Sequence, residues 1–392
     1  MSKISQRGVT LIELMVAIVI GSMIALAIFS VLSSFEGRKR SLTSVNDINQ
    51  AGNYAGNVLD TMVRGAGSGF TQASAFSFGC PLKVSKSGTA LLPVNSLPAP
   101  FASVDPGTSG VFRLAPVLII PGGTTPGASG SGSDVLVIMS GAAGKSENFN
   151  LLTAFPASSS LTLANTLAFS ANDLILVADQ QALSTGALSP CFVEQVSSSF
   201  AQSSGNTSLP LAGTYYAATI DSKNLAELSK DAVALNLGNL GNANPPSFML
   251  IGVGDNDTLF SYDLLQTGGK TIAQAMADGV FELHALYGVD DDEDGKVDSW
   301  IKPSASSGDY TLDSLMAGTP EAAQILTRIR ALRIGLIMRT SLKEKDNAAT
   351  SPIKLFSSLG SGYEFSRTLT GDALKYRYRT VELIVPLRNA LN

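Results

Sequence analysis

An acidic segment near residue 290 carries the side chains of this sequence that are best suited to holding a metal ion. It offers oxygen ligands at loop positions 1, 3, 5, 7 and 9, the seventh through a backbone carbonyl: Asp290, Asp292, Asp294, Lys296 and Asp298. Gly295 at position 6 permits the sharp turn that such a loop needs. Calcium prefers oxygen ligands, and neighbouring carboxylates repel one another without a cation. The spacing therefore predicts a calcium loop.

This loop departs from a complete EF-hand in two ways. Position 12 is Ile301 instead of a bidentate Glu, and a strand-like segment precedes the loop where an EF-hand has a helix. The pattern resembles the short DxDxDG calcium loops of extracellular proteins. The alternative interpretation is a solvated acidic turn that holds no ion.

The N-terminus contains a segment that can span a membrane. Residues 14–32 carry no charge, and a helix of that length reaches about 28 Å, enough for the hydrocarbon core of a bilayer. A secretory signal is cleaved after its apolar stretch, whereas here the expected break, between Gly8 and Val9, precedes it. The apolar helix is therefore expected to stay on the mature protein.

Glu13 places a carboxylate at the start of this apolar helix. A charged group in lipid is costly and needs a partner. One interpretation puts Glu13 at the membrane interface. The other pairs it with a positive charge, which the free amine created by cleavage before Val9 would supply.

The start of the chain resembles the type IV prepilin signature, in which a Gly, an apolar residue and a Glu stand at fixed spacing before an apolar run. The matching residues are Gly8, Val9 and Thr10-Leu11-Ile12-Glu13. The resemblance implies cleavage between Gly8 and Val9 by prepilin peptidase, N-methylation of Val9, and a role for Glu13 in docking the subunit into a growing filament. It also implies a single-pass inner-membrane protein with a cytoplasmic N-terminus and a periplasmic body, which later reaches the pilus on the cell surface.

A helical pattern continues beyond the membrane segment. Apolar residues recur at three-to-four-residue intervals, as one buried helix face requires: Val45, Ile48, Tyr54, Val58, Leu59, Met62 and Val63. Glycines at 37, 52 and 56 are expected to loosen this helix, and the glycine-rich segment 65–69 to end it. The expected parts are a leader (1–8), a pilin helix (9–64, transmembrane over 9–32 and an amphipathic stem over 33–64) and a globular domain (65–392) with the acidic loop at 290–298.

The globular part has the patterns of a mainly β structure. Eight segments alternate or run apolar between turn residues: 134–139, 173–178, 191–196, 248–253, 259–265, 280–287, 331–338 and 380–387. The fourth and fifth predict a hairpin across 254–257, whereas residues 70–132 predict long surface loops with a strand or two. The predicted fold class is α+β, with a long N-terminal transmembrane pilin helix packed on a mainly antiparallel β domain with long loops.

Parts of the body also resemble the minor pilins of the PilW type. The strings that carry the resemblance are residues 133–138, 172–179 and 378–389, in that order along the chain, and residues 81–132 lie outside it. The resemblance implies a structural role, since minor pilins of this type form a priming complex that starts pilus assembly.

The two cysteines, Cys80 and Cys191, lie in segments rich in turn residues. In an oxidising compartment a single disulfide is the natural pairing. Such a bond would close a long loop and be worth roughly 4 kcal/mol in the chain-entropy model. Two buried thiols are the alternative.

Charge and histidine content argue against nucleic-acid binding and catalysis. Residues 65–392 hold 21 basic against 28 acidic side chains, so the body has no basic field for phosphates. The one histidine, His284, stands in a strand pattern, where a packing or surface role is far more common than that of a catalytic base. A non-enzymatic protein is expected.

Three functions follow from these observations. The first is a minor pilin that starts pilus assembly or sits in the tip complex. The second is a pseudopilin of a type II secretion or DNA-uptake system, and the third is a tip-displayed adhesin whose 81–132 loops contact a surface. The expected partners are other minor and major pilins, prepilin peptidase, the inner-membrane assembly platform and a large tip adhesin, with calcium as the expected ion.

Overall fold

A single long helix, α1 (Leu11–Arg64), forms the stem of the protein. The structure is a computed structural model that describes residues 9–105, 110–124, 132–142, 149–179, 186–241, 244–303 and 308–388. Thr10 and Glu13 form a capping box at the first turn of α1, in which the side chain of each residue accepts a hydrogen bond from the backbone N–H of the other. The helix then continues to Arg64 without interruption, as its apolar periodicity predicts.

The two halves of α1 have different environments. An 18-residue apolar window in its N-terminal half has a mean hydropathy of 2.7, and none of it is buried. By length and composition this half can cross a membrane. The second half packs on the body, where the strands Gln274–Asp278, Ile329–Arg339 and Tyr378–Pro386 lie against it.

Small residues dominate the buried face of the stem. The buried positions are Ser44, Ile48, Gly52, Ala55, Gly56, Leu59 and Val63. The prediction that Tyr54 belongs to this face is wrong, because its side chain is 56% exposed. A Cβ atom at Gly52 would lie 3.1 Å from Val381 Cγ2 and 3.3 Å from Met338 Cγ. Gly52 therefore permits close packing of the sheet on the stem, whereas the sequence suggested only a loosened helix.

A large side chain at Gly52 is expected to weaken the docking of the stem. Gly52→Leu should lower the free energy of unfolding of the body by about 1–3 kcal/mol, since overpacking forces neighbouring side chains out of place. Thermal unfolding of the full chain in detergent measures this effect. Gly37→Leu is the matched control, because nothing lies within 4 Å of a Cβ atom at Gly37. Equal melting temperatures for the two variants would contradict the close-packing role.

Strands are the main regular structure of the body, and its described residues also form three short α-helices. The helices are α2 (Ser74–Ser77), α3 (Leu312–Leu315) and α4 (Pro320–Thr327). In chain order the strands are β1 (Leu82–Lys86), β2 (Thr89–Leu92), β3 (Val117–Thr124), β4 (Ser133–Ser140), β5 (Asn150–Leu151), β6 (Ser160–Thr162), β7 (Asp173–Ala178), β8 (Cys191–Gln195), β9 (Ser208–Pro210), β10 (Val233–Asn239), β11 (Ser247–Gly254), β12 (Thr258–Asp263), β13 (Gln274–Asp278), β14 (Val280–Val289), β15 (Ser299–Ile301), β16 (Ile329–Arg339), β17 (Ile353–Leu355), β18 (Phe365–Arg367) and β19 (Tyr378–Pro386).

These strands form three main sheets and two small ones. The main sheets have the orders β2-β1-β8-β7-β10-β5, β13-β12-β11-β4-β3 and β15-β14-β16-β19, and the small ones pair β17 with β18 and β6 with β9. The pair β1–β8 is parallel. The neighbouring pair β7–β8 is antiparallel, as are the pairs β14–β16 and β16–β19 of the sheet that bears the stem through β16 and β19. All eight predicted strand segments are confirmed, as is the hairpin, whose strands are β11 and β12.

The segment that predicted long surface loops is largely packed into the protein. Phe101, Phe112 and Leu114 are fully buried in the main core, and three strands, β1 to β3, lie between residues 70 and 132. The surface-loop prediction is therefore wrong for these residues. Their apolar side chains are widely spaced among Gly, Ser and Pro, so no periodic pattern in the sequence predicts their burial.

A second hydrophobic core lies beside the main one and contains a buried carboxyl group. Phe192 and Val196 belong to this core, and Glu194 lies between them, on the same side of its strand and with none of its surface exposed. Its Oε2 accepts a hydrogen bond of 3.3 Å from the backbone N–H of Ala217. Burial raises the pKa of Glu194 to about 8. The folded protein therefore holds this group neutral at pH 7.

Replacing Glu194 by Gln is expected to stabilise the protein at neutral pH. In the unfolded chain the carboxyl ionises near pH 4.5, whereas in the folded state it stays protonated up to about pH 8. Stability should thus fall as pH rises through this window, and the loss at pH 7 is up to about 3 kcal/mol. Glu194→Gln removes this loss, so its melting temperature should exceed that of wild type at pH 7 and match it near pH 4. Glu36→Gln, at an exposed position, is the control, and the same pH profile for wild type and Glu194→Gln would refute the assignment.

Candidate functional site

The residues expected to govern processing lie at the start of α1. Gly8 lies outside the described residues, and Val9 is the first described residue, with an exposed side chain. Glu13 Oε2 accepts hydrogen bonds of 3.4 Å from both the backbone N–H and the hydroxyl of Thr10. The carboxylate is therefore turned back toward the helix start. Val9 directly precedes Thr10, whose N–H donates to this carboxylate.

The acidic loop connects β14 to β15, so a strand precedes it and a strand follows it. Ile301, at loop position 12, pairs with Tyr287 in the sheet, which removes it from any ligand set. Gly295 has φ +86°, in the left-handed region that glycine adopts without strain. The chain thus makes its sharp turn at the predicted position.

Asp290 anchors the loop from a buried position. Its Oδ1 accepts a hydrogen bond of 3.0 Å from the Asp294 N–H, and its Oδ2 accepts one of 3.0 Å from the Gly295 N–H. Arg330 Nε also lies 2.9 Å from Oδ2. Burial raises the pKa of Asp290, but the hydrogen bonds from Arg330 and Gly295 outweigh burial and hold the pKa below its usual value. This carboxylate is therefore ionised and fixed in orientation.

Three of the predicted ligands come together in this loop. Carboxylate oxygens of Asp290, Asp292 and Asp294 lie within 4.8 Å of one another. Asp298 is differently placed, because its Oδ2 accepts hydrogen bonds of 2.8 Å and 3.3 Å from the backbone N–H groups of Asp291 and Asp292.

The donor set suits a hard cation such as calcium. Part of its negative charge is already offset, since Lys296 Nζ lies 2.6 Å from Asp294 Oδ2 and Arg330 contacts Asp290. The Lys296 ammonium is exposed and can move away from Asp294, whereas the Arg330 guanidinium is half-buried. A divalent cation at this site would have to displace Lys296 from Asp294.

Cys80 and Cys191 are joined as a disulfide in the structure, with Cα atoms 5.7 Å apart. Both are buried. The bond links the segment just after the stem to β8, next to the parallel pairing in which Leu82 lies opposite Cys191. Both cysteines belong to the main core, so the bond ties β8 to the part of the chain that leaves the stem.

His284 is a buried packing residue between two acids. Its Nδ1 lies 3.4 Å from Asp134 Oδ2 and its Nε2 lies 3.4 Å from Glu282 Oε2, and the Phe365 ring stacks on it. Glu282 also forms an ion pair with Arg367. Burial lowers the pKa of His284, but the hydrogen bonds to Asp134 and Glu282 more than offset it, and the pKa is raised. No sequence pattern predicts this charged cluster, because Asp134 and Arg367 are far from His284 in the chain.

Comparison with known families adds the deciding observation. Residues 250–389 match the family described as Type IV Pilus-assembly protein W, and residues 3–29 match the Prokaryotic N-terminal methylation motif. The chain matches a PilW-type pilin. No curated protein and no solved structure gives a significant match to it.

The two matched ranges cover different parts of the chain. The first contains the hairpin, the acidic loop and the sheet that bears the stem, and the second contains Gly8, Val9 and Glu13. Two of the strings that resembled PilW in the sequence, 133–138 and 172–179, lie outside both ranges. The membrane-type helix and the methylation motif fit a membrane-anchored pilin with a periplasmic body.

Proposed function

We propose that this PilW-type minor pilin starts assembly of the pilus and occupies one end of it. The observation that carries the proposal is the division of α1 into a fully exposed apolar half and a half that is packed on a large body. The exposed half is suited to insertion among the stems of other pilins. Packed helices lie about 8–10 Å apart. A large body attached to one such helix is accommodated best at an end of the filament, where no further subunit lies on one side of it.

The proposed role defines the partners and the course of events. Prepilin peptidase removes residues 1–8, the Val9 amine is methylated, and the stem joins other minor and major pilins at the inner-membrane platform. The chain acts through contacts and not through catalysis. A secretion pseudopilin and a tip adhesin are the competing roles.

The number of surface pili on cells that lack this protein tests the proposal. Electron microscopy should show a severe loss of pili, which the wild-type chain restores. Normal pili together with lost secretion or DNA uptake would instead support the pseudopilin role. Normal pili with lost attachment would support the adhesin role.

We also propose that the acidic loop binds calcium weakly. The supporting geometry is the approach of three carboxylates around Gly295 and the buried, oriented Asp290. Calcium at 10 to 100 times the dissociation constant should raise the stability of wild type by about 1–3 kcal/mol. Asp292→Ala/Asp294→Ala should lose this gain, while Asp346→Ala, in another exposed loop, should keep it.

Thermal unfolding with millimolar calcium and with a chelator measures the effect. Magnesium at the same concentration is a further control, since it demands a tighter octahedral site. An unchanged melting temperature of wild type in calcium would rule out the proposed site.

A further inference from the structure

The end of the body nearest the apolar half of α1 carries an excess of positive charge. Segments 33–47, 340–346 and 371–379 together hold eight basic and five acidic side chains, whereas the whole chain has a net charge of -5. The rest of the protein is therefore strongly acidic. Positive charge is concentrated at one end of the molecule.

One loop brings part of this charge next to the stem. The hydroxyl of Ser41 donates a hydrogen bond of 2.7 Å to Glu344 Oε1, which also accepts one of 2.8 Å from Arg377 Nε. Ser341 and Leu342 line a hollow with Lys39 and Arg40 of the stem. The loop 341–346 thus lies level with the first turns of α1 that follow its apolar half.

The loop also presents an apolar side chain to solvent. Leu342 is 49% exposed, and the exposed Lys343 and Lys345 follow it in the chain. An apolar residue next to lysines can bind at a membrane interface, where the apolar group enters the acyl boundary and the ammonium groups meet phosphates. Lys343 pairs with Asp372 at the surface, and both groups are exposed enough to exchange partners.

The position of the loop 341–346 along the axis of α1 corresponds to the headgroup region of a bilayer. Residues 39–43 lie four to eight residues beyond Phe35, which is roughly 6–12 Å along a helix. The polar region of a bilayer adds about 5–8 Å on each side of the hydrocarbon core. With the apolar half of α1 in the membrane, the loop lies at or just above the phosphates.

We propose that the loop 341–346 rests on the anionic phospholipid headgroups of the membrane that holds α1. Leu342 enters the interface, and Lys343 and Lys345 contact lipid phosphates. The contact holds the body against the membrane before the stem moves into the filament. This inference rests on the membrane anchorage of α1 and is independent of the filament position proposed above.

A fluorophore at Leu342 tests the contact in the full-length protein. The two cysteines of the sequence are joined as a disulfide, so Leu342→Cys provides a thiol for an environment-sensitive label. The labelled chain is placed in nanodiscs of phosphatidylcholine alone or mixed with phosphatidylglycerol, and quenching by headgroup-labelled lipid is measured. Phe155→Cys, at an exposed position in the middle of the chain, is the control.

We expect a blue-shifted, strongly quenched label at position 342 in anionic discs only. The ratio of buried to exposed label should fall about fivefold for each lysine charge removed, by Lys343→Gln and then Lys345→Gln, and should fall with added salt. A label at 342 that behaves like the one at 155 while the chain remains in the discs overturns the headgroup contact alone. A chain that fails to enter the discs overturns the anchorage and the contact together. Binding to other pilins but not to anionic discs would assign the surface to protein instead.

Discussion

A chain with Glu13→Val is expected to be cleaved normally and to remain in the membrane, while surface pili fall to the number seen without the protein. A carboxylate in the apolar part of a membrane is costly, at about 2.5–3.5 kcal/mol on insertion scales, and pairing with the Val9 amine recovers that cost. Without the carboxylate, the Val9 amine has no partner of opposite charge inside the filament. Glu13 already faces the helix start, 3.4 Å from the Thr10 N–H.

The effect is measured by counting pili and by determining the N-terminal mass of the membrane-bound chain. Glu36→Val is the matched control, since Glu36 is an exposed carboxylate of the same helix beyond the apolar half. Normal pili on Glu13→Val cells would show that the carboxylate has no part in docking. Loss of cleavage in the same variant would move its role from docking to recognition by the peptidase.

Removal of the Cys80–Cys191 disulfide is the second change with a large expected effect. Cys80→Ala/Cys191→Ala should lower the free energy of unfolding by about 4 kcal/mol, because the bond closes a loop across a sequence separation of 111 residues. Urea unfolding of the purified full chain in detergent measures the loss. The reductant-treated wild type should behave like the variant.

Mass spectrometry supplies the control for this prediction. Under denaturing conditions without reductant, the wild-type chain should resist alkylation, and after reduction it should take up two alkyl groups. Alkylation before reduction would show free thiols and remove the basis for the stability difference.

The sequence predicts the stem and the strands well because each has a local signal. A charge-free apolar run defines the first half of α1, and apolar runs between turn residues define β7 and β11 to within a residue or two. Tyr54 shows the limit of this reasoning. Its position in the repeat suits the buried face, but Gly52 and Gly56 allow a sheet to approach so closely that the buried face shifts toward the small residues.

The candidate site, too, could be predicted only in part from the sequence. The acidic loop follows from the local spacing of Asp290, Asp292 and Asp294, which places their oxygens together. Arg330 reaches Asp290 from 40 residues away, and no sequence pattern predicts that contact. The burial of Phe101 and the second core around Glu194 likewise depend on tertiary packing.

We propose above that this chain is a processed subunit of the pilus that occupies one end. Its most direct test is the composition of sheared, purified pili together with the position of a gold label on the body. We expect an N-terminal peptide that begins at methylated Val9 and a label at a single filament end. A chain that is found only uncleaved in the membrane, or a label distributed along the shaft, would contradict it.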